Sequence, residues 1–196
     1  MKNSVLFGLA VVLIMGVGCT KPVYLKTRYL ENHGPGLVEG LQDVDKKASG
    51  VNIQAIDDLR GEKEVLGIVA GRLVQGDNLT EWVAGGFKLL KYFGYPVAFE
   101  KGRGISGGDS IDLHVEIKTA HARSISTSMS ATLVLRINYS AGGRPIGSRV
   151  YRGVKTEVNL VSGEGEINEL FFQAIVPILK SVSNDLGNLY KSGTFN

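Results

Sequence analysis

Apolar and polar residues alternate most clearly in the second half of the chain. Ile111, Leu113, Val115 and Ile117 take every other place, with Asp112, His114, Glu116 and Lys118 between them. That is the period of a strand with one buried face. Leu133, Leu135, Ile137 and Tyr139 repeat it against Thr132, Arg136 and Asn138, while Val134 breaks the polar side. Ala141-Gly142-Gly143-Arg144 is a turn sequence that leads to Ile146, Val150, Val154 and Val158. These features predict a three-strand meander with its valines inward. Arg152 then falls on the apolar side of the third strand, paired with a carboxylate or snorkelling to the sheet edge.

Two stretches keep the helical period instead. Leu79, Trp82, Val83, Phe87, Leu90 and Phe93 make one apolar face, with Asn78 placed as N-cap and Glu81 completing a capping box. Gly94 and Pro96 end it. Gly85-Gly86 lowers helix propensity in its middle, which points to close packing there. The positions from Ile167 to Leu189 hold the 3.6 period for about 23 residues, with a kink expected at Pro177. Earlier, Val51, Ile53 and Ala55 alternate with Asn52 and Gln54 in a strand ending at Asp57-Asp58-Leu59-Arg60, and Val65 to Val69 reads as another. The order is strand, strand, helix, strand, meander, helix. It predicts an α+β fold, a mostly antiparallel sheet with two helices packed on one face, as a single domain over residues 51–196.

The start of the chain has a different pattern. Lys2 is followed by an apolar run from Val5 to Met15, then by small residues up to Cys19. A charged start, a short apolar region and a small-residue exit describe a secretory signal peptide over residues 1–18. A transmembrane anchor would need about 20 apolar residues. Cys19 is the one cysteine of the chain and sits where the apolar run stops. Val17-Gly18-Cys19 resembles the box of bacterial lipoprotein signals, in which the cysteine is acylated and becomes the mature N-terminus; Gly16 departs from that box. Gly16-Val17-Gly18 also fits ordinary secretory cleavage. Acyl chains on Cys19 would tie the protein to a membrane, and Thr20, where a retention aspartate would stand, implies the outer membrane by the same resemblance. Residues 19–50, punctuated by Pro22, Gly34, Pro35, Gly36 and Gly40, read as a flexible tether, with a short strand possible between Tyr24 and Tyr29.

Composition narrows the function classes. The 196 residues carry 22 basic and 19 acidic side chains, a formal charge of +3. That is too small for a strongly basic nucleic-acid binder. One cysteine rules out an intramolecular disulfide and a cysteine-built zinc site. Gly102-Arg103-Gly104-Ile105-Ser106-Gly107 matches G-x-G-x-x-G, but it opens a strand rather than a helix and reads as a loop. Asp112, His114 and Glu116 share the wet face of one strand; spread over about 14 Å, they suit cross-strand ion pairs better than one metal ion. His33 and His121 stand in polar segments. The serines from Ser124 to Ser130 lack a nucleophile elbow and suit a turn. Asp57 and Arg60 are placed for a structural ion pair at the end of the first strand, with Asp58 as the other available carboxylate.

Several of these segments resemble one family. Val51 to Arg60 (VNIQAIDDLR), Phe93 to Val97 (FGYPV), Ile111 to Ile117 (IDLHVEI), Tyr151-Arg152 and Ser181 to Leu186 (SVSNDL) are similar to the YajG family of bacterial lipoproteins. Auxiliary lipoproteins of ABC-type lipid transporters share the layout. The resemblance implies an envelope lipoprotein with no assigned catalytic activity, and it carries over no catalytic residues. The expectation is a non-enzymatic binding or scaffold module without cofactors, whose partners are the membrane, through Cys19, and an envelope protein or a second copy. The alternative is a transport accessory holding an apolar ligand in a cavity lined by Phe87, Phe93, Phe99 or Phe171.

Overall fold

A computed structural model of the chain describes residues 21–34, 50–99, 110–158 and 163–192. In chain order the elements are α1 (Thr27–His33), β1 (Val51–Asp58), β2 (Val65–Val69), β3 (Arg72–Gln75) and α2 (Leu79–Lys88). A 3-10 turn over Leu89–Phe93 precedes β4 (Val97–Ala98), β5 (Ile111–Ile125), β6 (Ser128–Ala141), β7 (Arg144–Val158) and α3 (Glu164–Lys191). All seven strands join one sheet. The fold is α+β, with the helices layered on the sheet.

The meander is β5, β6 and β7, joined antiparallel along nearly their whole lengths. The turn between β6 and β7 needs positive φ at two consecutive residues, and Gly142 (54°) and Gly143 (76°) supply it. The sheet is mostly antiparallel, as the β2–β3 hairpin and the meander show, but its other pairings are parallel. β1 runs parallel to β4 and to the first half of β5, and β2 runs parallel to the second half of β5. β6 occupies the other edge of β5, so β1 and the β2–β3 hairpin share one edge end to end. A single strand's alternation reports which face is buried, not the direction of its neighbour.

One face of the sheet is dry. Leu113, Val115 and Ile117 from β5 and Leu133, Leu135 and Ile137 from β6 are fully buried, packed with Trp82, Phe87 and Phe171 from the helices. The ring of Trp82 meets that of Phe171 edge-on at 6.0 Å. The paired glycines of α2 do mark close packing. A Cβ on Gly85 would meet Leu30 of α1 at 3.1 Å, and one on Gly86 would run into Ile175 of α3. α3 continues as one helix through Pro177.

Two expectations are corrected at the edges of this core. β7 turns the other residues inward: Tyr151 and Gly153 are buried, whereas Val150, Val154 and Val158 face solvent on the far side of the sheet. Gly153 lets α3 approach the strand, because a Cβ there would overlap the carbonyl oxygen of Ala174. The second correction concerns the tether. Residues 21–34 are part of the domain, with Val23, Leu25 and Leu30 buried. Val23 extends the sheet beside β3, its N–H donating to Leu73 O and its carbonyl accepting from Gln75 N, both at 2.8 Å. Asn78 starts α2 but does not cap it with its side chain; its Nδ2 donates instead to Leu25 O at 2.6 Å. The folded unit therefore begins well before Val51.

Candidate functional site: the uncovered sheet face

The helices pack on the dry face, so the opposite face of β5, β6 and β7 has no helix over it among the described residues. Register assembles it in rows. Glu116, Arg136 and Val150 lie side by side; so do His121, Thr132 and Val154; so do Arg123, Ser130 and Thr156; Ile125, Ser128 and Val158 end the series. Arg152 sits opposite Val134 on this same face. Its position among valines, puzzling if they point inward, is ordinary on an outer surface.

The surface has two characters. Near β1 it is polar and locally paired. His114 Nε2 lies 2.6 Å from Asp57 Oδ2. Asp112 accepts from Asn52 Nδ2 at 3.0 Å. Glu116 accepts from Asn138 at 3.1 Å and faces Lys118 at 3.4 Å and Arg136 at 3.5 Å. Burial pushes the Glu116 carboxyl up, but these three partners outweigh it and hold it below the usual carboxylate range. Asp112, His114 and Glu116 thus each bind a neighbouring strand separately. Among the described residues no group of three His, Cys, Asp or Glu side chains is placed to hold a metal ion. Toward β7 the surface becomes apolar and basic, with Val150 59% and Val154 46% exposed beside Arg152. Burial, and then the charges of Arg123 and Arg152, push the nearby His121 imidazole below its ordinary pKa, which keeps it neutral at neutral pH. β7 pairs only with β6 among the described strands, so its outer backbone edge is a second place for a strand to add.

The remaining sequence candidates fall into place as structure. The ion pair expected between Asp57 and Arg60 forms one residue along. The buried Arg60 grips Asp58 with Nε at 2.9 Å and Nη2 at 2.7 Å, and its Nη2 also donates to Lys63 O at 2.9 Å. Strand alternation decides this, turning Asp58 toward the β2–β3 hairpin and Asp57 to the wet face. Ser124 Oγ accepts from Ala70 N at 2.8 Å, and Ser126 turns the β5–β6 hairpin at φ 55°. Phe87, Phe93 and Phe171 are core, and Lys88 lies over the Phe99 ring at 5.7 Å. Cys19 and the glycine-rich stretch from Gly102 to Gly107 lie outside the described residues.

One cluster was not foreseen. Tyr139 and Tyr151 share a hydrogen bond between their hydroxyls, Tyr151 donates to Asp185 Oδ2 at 2.5 Å, and Arg149 holds the other Asp185 oxygen. Burial pushes both tyrosine hydroxyls well above their ordinary range, and for Tyr151 the Asp185 carboxylate adds to it. The network locks α3 to the end of β6 and β7. The alternation around Tyr139 was its visible signal; the Asp185 partner on a distant helix was not visible.

No protein-family model matches this chain, and no curated protein matches it in sequence. Solved structures align with it. A Xanthomonas campestris protein of the DUF330 family superposes with a TM-score of 0.54 at 11% identity, over 75% of this chain and 89% of that one. A minor lipoprotein from Acinetobacter baumannii aligns over 70% and 90% of the two chains, with a TM-score of 0.42 at 12% identity. Lipoprotein GNA1162 from Neisseria meningitidis aligns over 71% and 99%, with a TM-score of 0.36 at 11% identity. The likeness to the Xanthomonas protein, at 11% identity, concerns architecture. No helix among the described residues is long and apolar enough to cross a membrane.

Proposed function

We propose that this chain is a YajG-like lipoprotein of the bacterial envelope, anchored by acyl chains on Cys19 to the periplasmic side of the outer membrane, and that it is a binding or scaffold module rather than an enzyme. One observation carries the binding role: a broad sheet face that no helix covers among the described residues, mixing exposed valines with Arg152 and Arg136 beside the edge of β7, which pairs only with β6 among the described strands. Such a surface can recruit an envelope protein or a second copy by side-chain packing and by strand addition. Confinement near the membrane raises its effective concentration for neighbours, so a weak interface suffices.

A cavity for an apolar ligand, as in a lipid-transport accessory, finds less support. Three of the four aromatics proposed to line one, Phe87, Phe93 and Phe171, are packed into the core. Native mass spectrometry of protein purified from its membrane tests the choice. A bound protein partner or homo-oligomer that Val154→Glu removes supports the proposal. A stoichiometric bound lipid that survives this substitution would favour the transport reading.

A further inference from the structure

The place where the N-terminal segment enters the fold carries a consequence for orientation. Val23 is parallel to Val74 of β3. β3 is antiparallel to β2, and β2 is parallel to β5. The chain therefore arrives at the end of the sheet where β2, β5 and β7 finish. Lys21 is at this end, its carbonyl 3.5 Å from Arg72 Nη2. The β2–β3 turn is there too, tied to β5 by the Ala70–Ser124 hydrogen bond. Cys19 stands two residues before Lys21 and four before the buried Val23. Four extended residues reach only about 13 Å.

This same end holds three of the most exposed large apolar side chains of the described residues. Ile68 is 60% exposed, Ile125 48% and Val158 78%. All three project from the uncovered face: Ile68 pairs in register with Arg123, and Ile125, Ser128 and Val158 form its last row. Arg123 supplies a cationic side chain on the same face, beside Ile68 in register, and Arg72, opposite the buried Val69, and Lys21 add positive charge at the same end of the sheet. On the helix side of this end, Glu157 pairs with Lys155 at 3.1 Å and Glu164 with Lys26 at 3.0 Å, while Glu169 is hydrogen-bonded to Tyr29 and Glu166 lies near the same tyrosine. Exposed apolar side chains beside Arg123, at an end of the sheet that also carries Lys21 and Arg72 and lies within a few residues of an acyl anchor, suit an anionic bilayer surface.

We infer that this end of the sheet, marked by Ile68, Ile125 and Val158, rests on an anionic lipid bilayer, so that the domain is held against the membrane in one orientation rather than swung on a tether. The inference rests on acylation at Cys19. It places the β6–β7 turn and Arg144 at the far end, pointing away from the membrane, and stands β7 upright with its edge accessible.

Depth-dependent quenching tests the orientation. The mature acylated chain carries an environment-sensitive fluorophore on Thr127→Cys or Arg144→Cys and is reconstituted into vesicles of phosphatidylethanolamine, phosphatidylglycerol and bromine-substituted lipid. Mass spectrometry checks the acyl group on Cys19, and Trp82 emission checks the fold. The fluorophore at 127 should be quenched roughly twofold or more, and that at 144 not measurably. Adding Ile68→Ser, Ile125→Ser and Val158→Ser should reduce quenching at 127 to the level at 144. Equal quenching at both positions, or quenching at 127 unaffected by the three serines, in protein shown to be acylated, would overturn the orientation alone. Absence of acyl mass on Cys19 would overturn the anchor and the orientation with it.

Discussion

The α-carbon of Gly153 lies against the backbone of Ala174, leaving no room for a side chain between β7 and α3. Gly153→Ala must push the helix off the strand or strain the backbone, since the neighbouring atom is a carbonyl oxygen rather than a movable side-chain tip. The expected loss is roughly 2–3 kcal/mol. Urea unfolding followed by Trp82 emission measures it. Val154→Ala, one residue on and pointing to solvent, should change stability by less than about 0.5 kcal/mol.

The Arg60–Asp58 pair should matter where Asp57 does not. Breaking a buried pair leaves an uncompensated charge, so Asp58→Asn should cost about 3 kcal/mol. Asp57→Asn removes only an exposed contact to His114 and should cost less than about 1 kcal/mol. Burial pushes the Asp58 carboxyl up, but Arg60 more than offsets this and holds it below the value of 3.8 it has when unfolded. The unfolded chain therefore takes up this proton first. Stability from the pair is complete above 3.8 and falls as pH drops below it. Acid titration of the wild type and Asp58→Asn, read by Trp82 emission, should show that acid-dependent loss shrinking in the variant.

At high pH the tyrosine network decides the outcome. Tyr139 and Tyr151 keep their protons in the folded state beyond the value of 10.0 at which an unconstrained tyrosine loses them. Above that pH the folded state binds more protons than the unfolded one, so stability declines as pH rises. Tyr151→Phe should lower stability at neutral pH by about 1–2 kcal/mol and flatten the alkaline decline. Thermal melts between neutral pH and alkali check both.

How much of this was legible in the sequence depends on what each feature needs. β5 and β6 announce themselves because one side of each strand is dry and the other charged. β7 does not: Val150, Val154 and Val158 share a parity with Arg152 and Thr156, and only the close approach of α3 at Gly153 shows which parity is inside. Parallel pairing of β1 with β5 leaves no mark on either strand alone. α1, at seven residues with Leu30 as its one buried side chain, is too short to show a period. Sequence spacing leaves Asp57 and Asp58 both open to Arg60, because it cannot weigh strand facing against distance. Of the proposed contact surface, the polar half around His114 and Glu116 is visible in the sequence, whereas the valine half reads as core.

The N-terminal segment leads to a truncation experiment. Removing residues 21–34 exposes the contacts of Val23, Leu25 and Leu30, each worth about 1.5–3 kcal/mol when fully buried. A chain starting at Val51 should therefore lose at least about 4 kcal/mol relative to one starting at Lys21, measured by the denaturation midpoint of each.

A binding module of this kind must engage a protein partner through the uncovered sheet face at the membrane. Photocrosslinking in intact cells addresses it most directly, with a photoreactive residue at Val154 on that face or at Lys180 on the exposed side of α3. A discrete adduct should form from Val154, be absent from Lys180, and disappear when Cys19→Ala releases the protein from the membrane. No adduct from Val154, or the same adducts from both positions, would contradict that engagement.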